Sequence, residues 1–409
     1  MQKRTAFLID DDEDSLHLLK AILSKEGYQV TTENNSELAL VRIEEEKPDC
    51  VLLDIMMPKM DGLIICKLLR ANPDLKYIRI IVVSAKPYEF DRKRAFEFGA
   101  DGYFTKPVQP QLLLTGLERI FRDAIDLTFW GVRGTHPVPG ADTLKYGGNT
   151  NCLSLDFPKG PSFIFDAGTG LKILSNKIMA QKQFPYEAKL FISHPHWDHI
   201  NGLPFFAPLY IQGNEFEICG AYHNDVTTRE LISGQMDGVY FPIKIKEFSA
   251  RVYFKDLKEE TLQFNNGIVV HTMLLNHPGH CLGYRVEYHN RTICYITDNE
   301  LYPPHNPHHN TTYWNKLTQF VANCDALIID STYFDHEYEL KKDWGHSAIS
   351  QVAELAHRSL TKTLFLYHHD PDQTDADIDR KLEIVNKILQ DYNSNTRCIA
   401  PKERELYSF

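Results

Sequence analysis

Up to about residue 125, short apolar runs alternate with amphipathic stretches. Residues 6–9, Cys50–Leu53 and 80–83 are unbroken apolar runs of strand length, the pattern of strands buried on both faces. Between them, 16–23, 37–46 and 63–70 repeat apolar positions at helical spacing, and 111–124 reads as a closing helix. This rhythm predicts an α/β domain with a doubly wound parallel sheet. Beyond it the pattern changes: aromatic residues, Gly-Pro turns and histidines become frequent. Strand-like runs recur at Ser162–Phe165, 189–192, 268–272, 292–296, 326–329 and Thr363–Tyr367. The boundary is expected near Asp126, giving domains 1–125 and 126–409. No Gly/Ser-rich tether lies between them, so coupling rather than free tumbling is expected.

The chain has 409 residues, 43% hydrophobic and 24% charged, which is ordinary globular composition and excludes a disordered or fibrous protein. The net charge of −11 argues against non-specific binding to nucleic acid or to an anionic membrane. Eight cysteines are scattered without a Cys-x-x-Cys pair, so neither a disulfide framework nor a cysteine zinc site is expected. There is no signal-peptide core and no apolar stretch of ~18 residues, so a cytoplasmic protein without membrane association is expected.

Asp10, Asp11 and Asp12 follow the first apolar run, Asp54 the second and Ser84 the third; Lys106 follows the apolar Tyr103-Phe104. In a parallel sheet such positions converge outside the carboxyl ends of the strands. Carboxylates gathered there need a cation, and hard oxygen ligands suit Mg²⁺. A carboxylate beside Mg²⁺ and Lys can attack phosphorus to give an aspartyl-phosphate, with Lys106 and Ser84 on the phosphoryl oxygens. Asp12, Asp14 and Asp61 are as well explained as solvated turn residues. These stretches, with Pro58-Lys-Met-Asp61-Gly62 and Lys106-Pro107, resemble the response-regulator receiver domain, whose sheet is flavodoxin-like. The resemblance implies Asp54 as acceptor of a phosphoryl group from a sensor histidine kinase. It implies Asp10, Asp11, Asp54 and the Met56 carbonyl as Mg²⁺ ligands, Ser84 as switch hydroxyl and Tyr103 as switch aromatic. A homodimer through the receiver is compatible with it.

In the second half the strongest signal is His194-Pro-His196-Trp-Asp198-His199, just past the run 189–192. Three imidazoles and a carboxylate within six residues suit Zn²⁺, with Mn²⁺ or Fe²⁺ as alternatives. Two metals need further donors; His277, Asp298 and either His368 or His369 each follow a predicted strand. His305, His308 and His309 lie in a Pro/Asn-rich stretch and read as a solvated loop.

The His-x-His-x-Asp-His run resembles the signature of the metallo-β-lactamase fold, an αββα sandwich with metals at one edge. The resemblance implies His194, His196 and His277 on one metal, Asp198, His199 and His368 on the other, and Asp298 bridging. Asp330-Ser-Thr-Tyr333, Gly345-His346-Ser347, Leu282-Gly-Tyr284-Arg285 and Tyr367-His368-His369-Asp370-Pro371 are similar to stretches of its RNase Z, phosphodiesterase-like branch, and favour His368 over His369. The expectation is a response regulator of a two-component system whose output is a binuclear-metal hydrolase acting on a cyclic nucleotide or other small phosphodiester. Asp198 and Asp298 would orient the nucleophile, and His346, paired with Asp330, would protonate the leaving group. Arg133 would clamp a phosphate or else stiffen its Gly-flanked turn. His280, standing where a small residue is usual, would alter the pocket. Phe205 and Phe206 read as core or pocket wall. The alternatives are an RNase Z-like ribonuclease and a metal-binding scaffold without chemistry. Residues 126–409 carry 26 basic against 34 acidic residues, which weakens a large-RNA substrate.

Overall fold

The structure is a computed structural model that describes residues 3–86, 88–158, 160–181, 184–222, 225–239, 241–264 and 267–409; the sequence reading at residues 1–2 lies outside these. The chain divides into two compact units, Met1–Ala124 with Phe157–Gly160, and Ile125–Asp156 with Pro161–Phe409.

The first unit is a five-stranded parallel sheet with helices on both faces. Its strands are β1 (Thr5–Ile9), β2 (Gln29–Glu33), β3 (Cys50–Leu53), β4 (Arg79–Ser84) and β5 (Gly102–Thr105), in the order β2-β1-β3-β4-β5. Its helices are α1 (Glu13–Lys25), α2 (Ser36–Glu46), α3 (Gly62–Ala71), α4 (Glu89–Glu97) and α5 (Pro110–Arg122). The order reverses at β1 and β3, so the loops after these strands open a crevice. Every residue of β3 is buried, which is why its sequence has no polar alternation. Asp12 and Asp61 are N-caps, accepting from the Asp14 and Leu63 amides at the starts of α1 and α3. The closing helix ends two residues earlier than its apolar pattern suggests: Asp123 turns left-handed (φ 49°) and its N–H returns to the Arg119 carbonyl.

The second unit is two seven-stranded sheets face to face. The first runs β11-β10-β9-β8-β7-β6-β19 and the second β12-β13-β14-β15-β16-β17-β18. The strands are β6 (Asp126–Gly131), β7 (Cys152–Asp156), β8 (Ser162–Phe165), β9 (Glu187–Ile192), β10 (Glu215–Ala221), β11 (Arg251–Leu257), β12 (Thr261–Gln263), β13 (Ile268–Leu274), β14 (Leu282–Tyr288), β15 (Arg291–Ile296), β16 (Ala326–Asp330), β17 (Thr363–Tyr367), β18 (Arg397–Ile399) and β19 (Leu406–Ser408). Helices α6 (Gly170–Gln181), α7 (Trp197–Ile200) and α8 (Thr228–Gln235) belong to the first half of the sandwich. Helices α9 (Thr311–Phe320), α10 (Asp335–Tyr338), α11 (Ile349–Arg358) and α12 (Asp375–Asp391) belong to the second. Apolar residues of α6 close a core over one sheet, and those of α9, α11 and α12 close another over the second.

Between the sheets the core is aromatic. Phe165 and Phe191 from the first sheet meet Tyr284 from the second, both at ring distances of 5.4 Å. Tyrosine stands on the second sheet because its hydroxyl reaches across: Tyr284 donates to the Ile192 carbonyl, Tyr367 to the Gly131 carbonyl, each at 2.8 Å, and Tyr295 to Asp166 at 2.7 Å. Each buried hydroxyl is satisfied, and each bond pins a loop start at the same edge of the sandwich.

Candidate functional site

Six strands end at that edge, and each delivers a polar residue within three positions of its end. After β8 comes Asp166, after β9 His194, after β13 His277, after β15 Asp298, and after β16 and β17 come Asp330 itself and His368. Asp166 and His368 turn left-handed there (φ 57° and 59°). Short helix α7 brings Asp198 and His199 round to the same place.

Two sets of donors result. His194, His196, His277 and Asp298 offer ligand atoms all within 4.8 Å of one another, and so do Asp198, His199 and His368. Asp298 faces both. Its Oδ2 lies 3.6 Å from His194 Nε2 and 3.8 Å from His277 Nε2; its Oδ1 lies 3.2 Å from His199 Nε2 and 3.0 Å from His368 Nε2. One carboxylate oxygen per donor set is the geometry of a bridging ligand. Among the described residues a further group joins Asp298, His346 and His368.

The hydrogen bonds behind the rings fix which nitrogen faces inward. His199 Nδ1 donates to Asp166 at 2.7 Å, and His277 Nδ1 to the Gly345 carbonyl at 3.0 Å. The Thr332 hydroxyl donates to Asp330 and accepts from His368 Nδ1 at 3.0 Å. Ser193 Oγ donates to Asp166 and accepts from His194 Nδ1 at 3.2 Å. In all four rings Nε2 is therefore the nitrogen that faces the cluster. For His194 it is fully buried with no hydrogen-bond partner among the described residues. A buried, unpaired nitrogen beside a carboxylate is costly unless it binds something, so the donor set fits a divalent transition cation.

Electrostatics agree. Burial opposes charge on His199, yet Asp198, Asp298 and Asp166 push its pKa well above the usual value. His368, equally buried, is raised to about 10 by Asp298 and Asp198. Burial would raise the two carboxyls, but the facing imidazoles hold Asp198 and Asp298 well below the ordinary carboxylate range. The negative charge that lifts these imidazoles is what a divalent cation neutralises. Asp198 Oδ2 is further held by the Thr135 N–H at 2.8 Å and Asn151 Nδ2 at 3.1 Å.

Beside the cluster, His346 Nδ1 donates to Asp330 at 2.8 Å, and this carboxylate raises the imidazole's pKa against the effect of burial. Gly134 leaves no room for a side chain: a Cβ there would lie 2.1 Å from His368 Cε1.

Other residues singled out in the sequence fall elsewhere. Arg133 is fully buried and not a phosphate clamp: its Nε donates to the Gly147 carbonyl and its Nη1 to those of Asp370 and Gln373, which makes it a brace between loops. His280 turns left-handed (φ 44°) and donates from Nδ1 to the Tyr222 carbonyl, outside the donor sets. His369 stays buried behind the cluster while His368 enters it. His305 and His308 are exposed, and His309 Nδ1 donates to the Tyr302 carbonyl. Phe206 is core, but Phe205 is 54% exposed, its ring 5.4 Å from Phe241. Sequence reasoning missed Asp166, although it too directly follows a buried strand; it gave no role to Thr332, which lies within the stretch 330–333, and it missed Asn151, which no spacing marks.

In the first unit the ligand atoms of Asp10, Asp11 and Asp54 lie within 4.8 Å of one another. Lys106 Nζ bridges Asp10 Oδ2 at 2.7 Å and Asp54 Oδ2 at 3.0 Å, and these carboxylates raise its pKa against the effect of burial. Ser84 is buried at the end of β4. Tyr103 donates to the Lys86 carbonyl at 2.7 Å, and its burial raises the phenol's pKa. Met56 lies two residues past Asp54 with its side chain exposed.

A family model described as the beta-lactamase superfamily domain matches residues 162–369, and one described as the response regulator receiver domain matches residues 6–118. The alkaline phosphatase synthesis transcriptional regulatory protein PhoP of Bacillus subtilis is 40% identical over 115 residues, 28% of this chain and 47% of that protein. The chain thus spans half or less of the length of the curated relatives it matches first. Among solved structures, the metallo-beta-lactamase fold protein YhfI from Bacillus subtilis covers 70% of this chain and 100% of its own, with a TM-score of 0.51 at 15% identity, a likeness of fold. Human tRNase Z, short form, covers 69% of this chain and 98% of its own, with a TM-score of 0.46 at 21% identity.

Proposed function

From a chain that belongs to the beta-lactamase superfamily and carries a response-regulator receiver domain ahead of that fold, we propose a phosphorylation-controlled phosphodiesterase with two divalent metals, zinc first among them. The observation that carries the reading is Asp298 set between two donor groups, with the His346–Asp330 pair alongside. His194, His196 and His277 would hold one cation, Asp198, His199 and His368 the other, and Asp298 both. When bound, such a pair supplies electrophilic activation of a phosphoryl oxygen and of water near neutrality. The chain's own groups do the rest. Asp198 is tethered by Thr135 and Asn151 through Oδ2, the oxygen that also faces His199 and His368. His346, its Nδ1 committed to Asp330, has Nε2 left to hand a proton to a departing alkoxide. The substrate class is a cyclic nucleotide or another small diester, consistent with the acidic second half of the sequence.

Asp54 would take a phosphoryl group from a histidine kinase, with Lys106 and Ser84 on its oxygens and Mg²⁺ held by Asp10, Asp11, Asp54 and the Met56 carbonyl. The test is hydrolysis of bis(p-nitrophenyl) phosphate by the full chain loaded with Zn²⁺ or Mn²⁺, against Asp198→Ala. Cyclic mononucleotides and a tRNA precursor follow as competing substrates. Turnover no better than the Asp198→Ala control on every diester would end the proposal, and preference for the tRNA precursor would replace it with a ribonuclease.

A further inference from the structure

Glu300 is two residues beyond the bridging Asp298, 2% exposed, and paired with no Lys or Arg among the described residues. Its carboxylate instead collects donors from one loop. Oε1 accepts from the Tyr338 hydroxyl at 2.8 Å and the Asp343 N–H at 3.0 Å; Oε2 accepts from the Gly345 N–H at 2.9 Å. Its backbone is tied to the His277 loop: the Glu300 N–H donates to the Asn276 carbonyl, and Asn276 Nδ2 to the Glu300 carbonyl, both at 2.8 Å. Gly345, immediately before His346, is therefore held from both sides, its N–H by Glu300 and its carbonyl by His277 Nδ1. Its left-handed φ of 84° and the 2.3 Å that would separate a Cβ from His277 Nδ1 leave that clamp no slack. One residue after His346, Ser347 donates to the Asn299 carbonyl and accepts from the Leu301 N–H.

We infer that Glu300 is a positioning residue that aims His346 at the leaving group, an assignment that rests on the phosphodiesterase reading above. A carboxylate is required because N–H and O–H donors approach both oxygens. A glutamine offers one oxygen and turns its NH₂ on the opposite donors, which repels one of them. The loop then shifts, and a general acid displaced by an ångström loses its proton transfer while the metal ligands keep theirs.

The experiment compares Glu300→Gln with the wild-type full chain, both metal-loaded, on two diesters that differ only in leaving group. p-Nitrophenolate departs without a proton; an alkoxide needs one. General acid catalysis predicts that the variant loses about a hundredfold in kcat on the alkyl diester and stays within about twofold on the nitrophenyl diester. Tyr338→Phe, which leaves the Gly345 bond in place, is expected to keep both rates. A second reading is independent of turnover. The His346 ring signal of ¹³C-histidine-labelled protein, assigned through His346→Gln, should move in Glu300→Gln while metal content stays at the wild-type value. Equal losses on both diesters, or an unmoved His346 signal, overturn the inference even if the enzyme hydrolyses diesters; absence of all hydrolysis with a shifted signal indicts the phosphodiesterase reading instead. Should Glu300→Gln not fold, the same two measurements are made on Glu300→Asp, whose shorter side chain reaches Tyr338 or Gly345 but not both.

Discussion

Lys381 carries an ammonium group to where no water reaches. Its Nζ donates to the carbonyls of Ser331 and Thr332, both at 2.7 Å, and so braces the turn that holds Asp330 and Thr332 behind the imidazole cluster. Burial pushes its pKa down to about 7, with Arg133 assisting, although Glu337, Asp370 and Asp330 pull the other way. Below pH ~7 the group is protonated whether the chain is folded or not, and the cost of burying the charge is carried in full. Between ~7 and the unfolded value of ~10.4 only the unfolded chain keeps the proton, so stability rises with pH by about 1.4 kcal/mol per unit. In Lys381→Met this slope vanishes. Urea unfolding of both proteins at pH 7 and pH 9 should therefore show wild type gaining about 2–3 kcal/mol on the variant. A difference that stays constant over that range would refute the assignment. Such a residue is invisible in the sequence, where Lys381 is one polar position on a long helix. Asp166 was legible in principle, since it follows a buried strand as Asp298 does. Glu300 was not, because its partners are mostly backbone N–H groups, which every loop possesses.

At the scale of elements, legibility followed burial. Strands β3, β8 and β17 are covered on both faces and read as continuous apolar runs. β2, with the sequence QVTTE, is an edge strand only partly buried, and β14 interrupts its pattern with Gly283 and Arg285, so neither announced itself. Helix α4 is mostly charged, and its apolar residues Phe90, Ala95 and Phe96 do not recur at helical spacing as a stripe. What the sequence marked well was the junction between a strand and the residue after it, which is where the donors lie. What it could not mark was how closely two loops pass, as at Gly134, whose N–H donates to the His369 carbonyl beneath the His368 ring. Gly134→Ala should push His368 off its place while leaving His194, His196 and His277 untouched. Loss of a supporting contact at a metal ligand costs about 10–100-fold in affinity, and displacement of the ligand itself should cost at least that. Zinc titration by calorimetry should resolve one site near wild-type affinity and one weakened by that factor. Two unchanged sites would mean that the second cation does not depend on His368.

The whole molecule joins two donor clusters that suit different cations. Asp10, Asp11 and Asp54 offer oxygen only, suited to Mg²⁺, whereas the second unit offers mostly imidazole nitrogen, suited to transition metals. A chelator selective for transition metals, such as dipicolinate, should then act on one unfolding transition and spare the other. A cation held at a thousand times its Kd adds about 4 kcal/mol to the state that binds it. For a unit of about 280 residues a shift of about 1.7 °C per kcal/mol follows, so removing its two cations should lower the hydrolase transition by about 14 °C. The converse treatment, Mg²⁺ with beryllofluoride as a phosphoryl mimic, should raise only the receiver transition, and Asp54→Asn should abolish that rise. Calorimetric scans of the full chain under the four conditions check both halves. The pairing of cation with transition is the decisive feature: if dipicolinate moved neither transition, the imidazole cluster would be holding protons rather than metal, and the charge on His199 and His368 would be its resting condition.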